Sequence, residues 1–149
     1  CIVVRPGNCY GPHDKYDFDK CHVTPATIRK VIDIHNPIQV WGTGEDIRDV
    51  IYVDDFVDGL INVMQKCTDK HEVVNIGSNT SYSVNEILDI CMEVDNYDAP
   101  IEYISGKPSM IPIRKISSEK MKNKYGWEAK TSLSKGIEKT IKWYKEYYK

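Results

Sequence analysis

The 149-residue sequence has no long apolar run and no surplus of charge of either sign. Crossing a bilayer takes about 20 consecutive apolar residues, and no stretch of the chain approaches that length. A basic patch would indicate a nucleic-acid or anionic membrane partner, whereas 20 Lys and Arg against 22 Asp and Glu give a formal net charge of −2. We therefore predict that the chain binds neither nucleic acid nor a membrane.

The five cysteines fit neither a disulfide framework nor a metal site, because their number is odd and no two form a C-x-x-C pair. No histidine and carboxylate spacing resembles a zinc site, so we predict no metal. Free thiols are typical of a reducing compartment, which predicts a cytoplasmic protein. The sequence also lacks a G-x-G-x-x-G after a strand, a P-loop and a G-x-S-x-G elbow, so it carries no dinucleotide fingerprint of its own.

What the sequence does have, at its start, is an apolar and β-branched run, CIVVR at residues 1–5. A continuous apolar run of this kind is typical of a parallel strand that is buried on both faces. Because such a strand needs neighbours on both sides, we expect them to lie upstream, and we interpret the chain as a fragment. Its length is still sufficient for one domain with a core of its own.

A long segment rich in glycine, proline and aromatic residues follows this strand, at residues 7–25. We predict a loop without regular secondary structure, and loops of this length are usually functional or disordered. Its aromatic side chains argue against disorder. Thr24 can cap a helix and Pro25 suits the first helical position, so we expect a helix to begin there.

Strand and helix patterns alternate through the rest of the chain, which predicts an α/β fold. Asp54 and Asp55 are expected to cap the next helix and to stabilise its N-terminal dipole. The apolar spacing of that helix predicts a buried stripe of Val53, Val57, Leu60 and Met64. Short apolar runs predict strands at Ile38–Trp41 and at residues 49–53, 73–76 and 101–105.

The last part of the chain is predicted to be mainly helical. Ser83 and Glu86 have the spacing of a capping box and predict a helix start. A short helix is expected over about residues 117–125, and a lysine-rich helix completes the chain. The apolar positions of this final helix predict an inward face of Leu133, Ile137, Ile141 and Tyr144.

One histidine stands out by position, because His22 lies between the aromatic-rich segment and the expected helix start. An imidazole both gives and takes protons near neutral pH. A single histidine is more often structural, so from the residues alone both interpretations stay open. Binding a polyanion such as a pyrophosphate would need several cations to converge, and spacing does not show whether these do: Arg29, Lys30, Arg48, Lys107, Arg114 and Lys115.

An ordered set of short motifs covers nearly the whole chain: RPGNCYGP, HVTPATIRK, WGTGEDIRDVIYVDD, VVNIGS and a terminal GW–SL–GI–WY pattern. In this order they resemble the C-terminal half of the extended short-chain dehydrogenases/reductases of the NAD-dependent epimerase/dehydratase family, which act on nucleotide sugars. The resemblance implies the α/β substrate-binding part of such an enzyme, with one or two strands belonging to a parallel Rossmann sheet. The N-terminal cofactor-binding half would then be absent from residues 1–149, and the fragment alone is expected to be inactive.

Within the family, the pair NCYGPHDKYDF and CHVTPATIRK is most similar to the branch that is 3,5-epimerase and 4-reductase for GDP-4-keto-6-deoxymannose. In UDP-galactose 4-epimerases the position of His22 is typically asparagine. The resemblance implies that His22 is the catalytic acid/base at C3 and C5, where the C4 ketone acidifies the protons. It also implies a homodimeric parent enzyme.

The resemblance assigns binding residues as well. Arg48 and Lys107 match groups that hold the diphosphate of a nucleotide-diphosphate sugar, and Ser109 and Met110 stand where an acidic residue commonly binds ribose. The implied substrate-binding residues are Asn8, Val23, Lys30, Trp41, Arg48 and Lys107. The cofactor is NADP or NAD, held mostly by the missing half, with a contribution here from Pro6, Gly7, Asn8 and Cys9.

Two alternatives stay open. A nucleotide-sugar 4-epimerase or 4-reductase acting on another sugar would have the same fold, and His22 would only hydrogen-bond a sugar hydroxyl. A binding or regulatory module of the same fold would catalyse nothing. The departures at Ser109 and Met110 favour the first alternative somewhat.

Overall fold

The computed structural model describes residues 1–106 and 111–148, and over these residues strands and helices alternate as an α/β fold. The strands are β1 (Ile2–Pro6), β2 (Asn8–Tyr10), β3 (Ile38–Trp41), β4 (Ile47–Tyr52), β5 (Glu72–Ile76), β6 (Ser81–Ser83), β7 (Ile101–Ile104) and β8 (Ile113–Arg114). The helices are α1 (Val23–Ile32), α2 (Val53–Lys66), α3 (Val84–Asp95), α4 (Glu119–Tyr125) and α5 (Leu133–Tyr148). The predicted fold class is confirmed.

Most strand pairs in the described ranges are parallel. β1 pairs with β5, β2 with β4, β3 with β7 and β8 with β4, whereas β6 runs antiparallel to β4. Parallel partners need a crossover connection, and here the crossovers carry helices. Among the described residues, every helix is too short or too polar to serve as a membrane span.

The buried side chains form two apolar clusters. The larger one joins α1, α3 and α5 to β2, β3 and β4, and includes Ile28, Leu88 and Ile137. The smaller one lies between α2, α4 and the β1–β5 pair, and includes Val63 and Val74. The cavity that holds the candidate site lies on the side of the larger cluster.

The first strand is less buried than its sequence predicts. Ile2 and Val4 pack against the smaller cluster, but Val3 is 39% exposed. The described helices α2 and α4 cover one face of the β1–β5 pair, so the alternate side chains of β1 face outward. In the described ranges β5 is also the one strand that pairs with β1.

The segment after β1 is more regular than the predicted loop. Asn8–Tyr10 form β2, whose backbone groups pair with Val50, Ile51 and Tyr52 of β4. Turns and irregular backbone make up the remainder as far as α1. The buried Tyr16 orders it by donating its hydroxyl proton to the carbonyl of Gly11 at 3.1 Å. The prediction of an ordered segment is therefore correct, and the prediction that it lacks a strand is wrong.

Helix α1 does not begin with the predicted cap. Its N-cap is His22, and Thr24 is buried within the first turn instead of capping it. Pro25 is tolerated in the first turn because the first helical N–H groups need no intrahelical partner. The catalytic candidate is therefore itself the residue at which the helix starts.

Helix α2 starts near the predicted place, and half of its predicted stripe, Val53 and Leu60, packs against the core clusters. Asp54 and Asp55 lie in its first turn, as expected for the dipole, although neither caps it. Val57 and Met64 of the predicted stripe are 44% and 63% exposed. Gly59 faces inward because the ring of Trp127 lies against it, so close that a Cβ there would be 2.9 Å from Cε2.

Two local predictions are confirmed without change. Ser83 and Glu86 form the reciprocal capping box of α3, with the Ser83 Oγ accepting from the Glu86 backbone N–H at 3.1 Å. The final helix buries all four of its predicted inward residues: Leu133, Ile137, Ile141 and Tyr144.

Candidate functional site

A cavity of about 730 Å³ lies between the N-terminal half of α1, strand β3 and the start of β4. It is lined by His22 together with most of the residues that the resemblance assigns to the substrate. Lys107 lies outside the described residues, as do Ser109 and Met110. The assigned substrate residues that line the cavity are Asn8, Val23, Lys30, Trp41 and Arg48.

His22 reaches this cavity because it occupies the N-cap position of α1. Its backbone is extended there, with φ −79° and ψ 171°, and its side chain makes no capping hydrogen bond. The imidazole is therefore not used to hold the helix. An exposed imidazole at the cavity wall has the chemistry to exchange a proton with a bound molecule.

Arg48 is held firmly by its own surroundings. Its Nη2 donates to Asp46 Oδ2 at 3.0 Å, and its Nη1 donates to the carbonyls of Ile47 at 2.9 Å and Ile111 at 2.8 Å. The guanidinium therefore lines the cavity and also holds the segment at Ile111 that leads into β8. Arg114, which lies opposite Arg48 in the parallel register, adds a second guanidinium to the lining.

Lys30 and Trp41 form the other end of the cavity. Lys30 Nζ donates to the carbonyl of Gln39 at 2.6 Å, and burial lowers the pKa of this lysine. The Trp41 side chain is 59% exposed at the end of β3. An exposed ring and a cation in the same cavity suit a ligand with a ring and a negative charge, because the ring supplies a stacking surface and the cation supplies charge.

The four residues that the resemblance assigns to a cofactor divide into two pairs. Asn8 and Cys9 line the cavity, whereas Pro6 and Gly7 do not. The Gly7 N–H donates to the carbonyl of Ile76 at 2.9 Å, and Asn8 Nδ2 donates to the carbonyl of Asp49 at 2.8 Å. Burial, with a smaller effect of Asp14, raises the pKa of the Cys9 thiol to about 11, so it is protonated at neutral pH.

These observations set a limit on cofactor binding by this chain. Asn8 lines the cavity just beyond the carboxyl end of the parallel strand β1, which is where open α/β sheets bind ligands. The residues therefore fit one end of a nicotinamide cofactor. They do not fit its pyrophosphate, because the sequence has no glycine-rich phosphate loop.

Asp49 is a buried acid that the sequence analysis did not single out. It is 1% exposed, and within the described part of the chain neither carboxyl oxygen makes a well-formed hydrogen bond. Burial raises its pKa to about 6, and the backbone N–H of Ser78 opposes part of that rise. Gly7 and Gly77 approach it closely, since a Cβ on either would lie 2.6 or 2.9 Å from its Oδ1.

One group of potential metal ligands occurs in the described ranges, away from the cavity: Cys67, Asp69 and Glu72. The Nζ of Lys124 donates to both carboxylates of this group. An ammonium group therefore already balances their charge, and the arrangement carries no metal assignment.

The family described as the NAD dependent epimerase/dehydratase family matches residues 1–77. A probable GDP-L-fucose synthase 1 of Oryza sativa subsp. japonica is 33% identical over 97% of this chain and 45% of its own length. The chain therefore spans less than half the length of this curated relative.

Two solved structures are similar over nearly the whole chain. The UDP-glucose 4-epimerase of Thermotoga maritima, crystallised with UDP-glucose, superposes with a TM-score of 0.89 at 28% identity, over 99% of this chain and 47% of that one. The dTDP-glucose 4,6-dehydratase of Bacillus anthracis, in complex with NAD, gives a TM-score of 0.84 at 26% identity, over 98% and 45%. In length the match again corresponds to about half of each relative.

Proposed function

Since the chain belongs to the NAD dependent epimerase/dehydratase family, we propose that it forms the C-terminal, substrate-binding half of a nucleotide-sugar epimerase/reductase. The proposed substrate is GDP-4-keto-6-deoxymannose, and the proposed parent enzyme is of the GDP-L-fucose synthase type. Support comes from the ordered motifs, from the synthase relative and from the match in length to half of that relative.

The observation that carries the proposal is the composition of the cavity wall. A proton-transfer group, His22, shares one cavity with an exposed indole, Trp41, and with the cations Lys30, Arg48 and Arg114. A nucleotide-diphosphate sugar has three parts: an aromatic base, an anionic diphosphate and the sugar at which the reaction takes place. The cavity offers a group suited to each of these three parts.

The chemistry asked of His22 is proton exchange next to a ketone. A C–H bond at C3 or C5 of the sugar breaks, its electrons form the enolate with the C4 carbonyl, and the proton goes to the imidazole. A second acid of the parent enzyme, on the opposite face, delivers a proton that re-forms the C–H bond with inverted configuration, and the imidazolium loses its proton to solvent. In the parent enzyme a bound nicotinamide cofactor would supply hydride to C4, and Asn8 and Cys9 would lie beside it.

The first test uses the parent gene and the parent enzyme. A glycine-rich βαβ unit and a Tyr-x-x-x-Lys motif encoded upstream of Cys1 are the expected result, and a start codon beside Cys1 would overturn the catalytic proposal. In the enzyme, His22→Asn is expected to abolish solvent-deuterium incorporation at C3 and C5. Normal incorporation by this variant would exclude His22 as the acid/base.

A second candidate function is a 4-epimerase or 4-reductase for another nucleotide sugar, with His22 holding a sugar hydroxyl. It is favoured by the similarity to the Thermotoga maritima UDP-glucose 4-epimerase. Product analysis with GDP-, UDP- and dTDP-sugars distinguishes the two, because 3,5-epimerisation produces a sugar that a 4-epimerase cannot. Binding of a nucleotide sugar without any turnover would instead indicate a non-catalytic module.

A further inference from the structure

Two polar side chains on neighbouring strands, Gln39 of β3 and Glu102 of β7, are joined by a hydrogen bond at the edge of the cavity. They lie directly opposite each other in the parallel register, and Gln39 Nε2 donates to Glu102 Oε2 at 2.9 Å. Both residues are exposed, so the pair is open to a ligand. The bond fixes which end of the Gln39 amide faces Glu102, because a carboxylate only accepts.

The pair lies at the end of the cavity that holds Trp41. Gln39 and Trp41 are two residues apart on β3, and both line the cavity. Side chains two apart on a strand share one face of the sheet and lie about 7 Å from each other. The Nζ of Lys30 donates to the backbone carbonyl of Gln39 at 2.6 Å, which holds this strand to α1. A flat ring that stacks on the indole of Trp41 can therefore bring its edge to Gln39 and Glu102.

The hydrogen-bonding groups of the pair come in a definite order. Gln39 Nε2 has a second N–H besides the one that Glu102 accepts, and both oxygens of Glu102 are acceptors. Among the described residues Gln39 is the one hydrogen-bond donor to this carboxylate, so both oxygens keep lone pairs for a ligand. The pair thus offers a donor followed by two acceptors. It is complementary to a ligand edge that has one acceptor followed by two donors.

We propose that Gln39 and Glu102 form a base-recognition pair that selects guanine. Guanine has the complementary order on one edge, because its O6 accepts while its N1–H and its 2-amino group donate. Uracil and thymine have a carbonyl in the place of that amino group, and the carbonyl would be repelled by the carboxylate. Adenine and cytosine have a bare ring nitrogen in the place of N1–H. The inference rests on the proposed function for the diphosphate and sugar parts of the ligand, and it adds the choice of base.

The direct test compares the binding of free nucleoside diphosphates to the 149-residue chain by isothermal titration calorimetry. GDP is expected to bind most tightly. Inosine diphosphate differs from GDP only in lacking the 2-amino group, and it should bind about tenfold more weakly because it loses one hydrogen bond to a charged acceptor. UDP should bind more weakly still, since it sets a carbonyl against the carboxylate.

Two variants separate the roles of the two side chains. Glu102→Met removes both acceptors, and it should reduce the ratio of the GDP and inosine diphosphate affinities from about tenfold to about one. Gln39→Met removes the donor to O6, an atom that both nucleotides have, so it should weaken both to the same extent. The matched control is Asp98→Asn, which removes one negative charge just before β7, where Asp98 is exposed. It should leave the ratio unchanged.

Three results would overturn the pair. These are equal affinities of the wild-type chain for GDP and inosine diphosphate, an unchanged ratio in Glu102→Met, and binding of none of the three nucleotides. The ratio decides between recognition and a structural role, because a side chain that only stabilises the fold would change the affinity for every nucleotide alike.

A kinetic measurement in the parent enzyme separates this inference from the proposed function. A guanine preference in an enzyme that incorporates no solvent deuterium at C3 and C5 would leave the pair standing and refute the proposed function. Turnover of GDP-4-keto-6-deoxymannose by Glu102→Met with the wild-type kcat/KM would refute the pair and leave the proposed function intact.

Discussion

Two buried carboxyl groups mark the two ends of the β1–β5 pair, and their surroundings are opposite. Glu72, at the start of β5, is 3% exposed and bonds to Lys120, Lys124 and the hydroxyl of Tyr125. Asp49 is 1% exposed beside the glycines that follow β1 and β5; its carboxyl oxygens make no well-formed hydrogen bond in the described ranges, and the backbone N–H of Ser78 stabilises their charge only in part. The fold thus satisfies one buried acid completely and leaves the other largely unsatisfied.

The difference shows where the fold gains stability and where it gives some up. The three donors around Glu72 hold its pKa below the usual range, so ionisation there favours the folded state. Burial raises the pKa of Asp49 to about 6, so ionisation there opposes folding. Asp49 lies at the carboxyl ends of β1 and β5, beside Gly7 and Gly77, and its backbone carbonyl accepts from Asn8, which lines the cavity. Groups that are held at a cost in free energy at such places are most often functional.

Removing the charge of Glu72, the satisfied acid, should have the largest effect on the free energy of unfolding. Glu72→Gln removes the charge that Lys120, Lys124 and Tyr125 share, and it is expected to lower the free energy of unfolding far more than the loss of an exposed ion pair would. Urea denaturation at pH 7 measures the loss. Glu146→Gln, an exposed site, is the control and should leave the urea midpoint unchanged.

The pH dependence follows from the lowered pKa of Glu72. Its stabilising contribution is present above the ordinary glutamate value of 4.5 and is lost as the pH falls below it. The difference in stability between wild type and Glu72→Gln should therefore shrink in acid. A difference that is constant from pH 7 to pH 3 would contradict the assignment.

A side chain added next to Asp49 should have the next largest effect on the free energy of unfolding. In Gly7→Ala the new Cβ would lie 2.6 Å from Asp49 Oδ1, which forces the carboxyl or the strand end to shift. We expect a loss of about 1–3 kcal/mol, measured by urea denaturation. The double variant with Asp49→Ala removes the clashing oxygen, so part of the loss should disappear. A double-mutant cycle with no coupling energy between the two sites would refute the contact.

Removing the charge of Asp49 should stabilise the protein at neutral pH, where the wild-type carboxyl is ionised, and not in acid, where it is protonated. The raised pKa means that the folded state binds the Asp49 proton more tightly than the unfolded state, so wild-type stability falls as the pH rises from about 4 through about 6. Asp49→Asn lacks this loss, and we expect a relative gain of about 1–2 kcal/mol between pH 4 and pH 8. Parallel stability curves for the two proteins would contradict it.

The smallest effect should come from an ion pair that lacks burial. Lys122 and Glu128 lie 2.8 Å apart, but both side chains are exposed. Solvent and salt screen such pairs, so Glu128→Gln should leave thermal unfolding unchanged. A clear loss would mean that burial is not what separates Glu72 from the exposed acids.

The parts of the fold that the sequence predicts correctly are those determined by near neighbours. The capping box of Ser83 and Glu86 needs residues three apart, and the inward face of α5 needs only its own apolar period. The predicted stripe of α2 is right at Val53 and Leu60 and wrong at Val57 and Met64, because the inward face also depends on Trp127, which packs against Gly59 from far along the chain. The predicted cap of α1 is wrong because Thr24 is buried inside the first turn, and burial depends on the rest of the fold.

The candidate site divides in the same way. His22, Arg48 and Trp41 could be named because family motifs carry them, and the structure brings them to one cavity. Asp49 carries no such signal, because what sets it apart is burial inside the fold without a well-formed hydrogen bond to either carboxyl oxygen. Sequence patterns show which groups are present, whereas an unused acceptor is visible only when all of its neighbours are in place.

The bonds of Arg48 have a consequence for the strength of ligand binding. Its guanidinium already donates to the carbonyls of Ile47 and Ile111 and to Asp46. These bonds use Nη1 and one N–H of Nη2, so an anion that binds there meets the remaining N–H groups of a guanidinium that is already oriented. Less side-chain freedom is then lost on binding than with an unbonded arginine, which favours affinity.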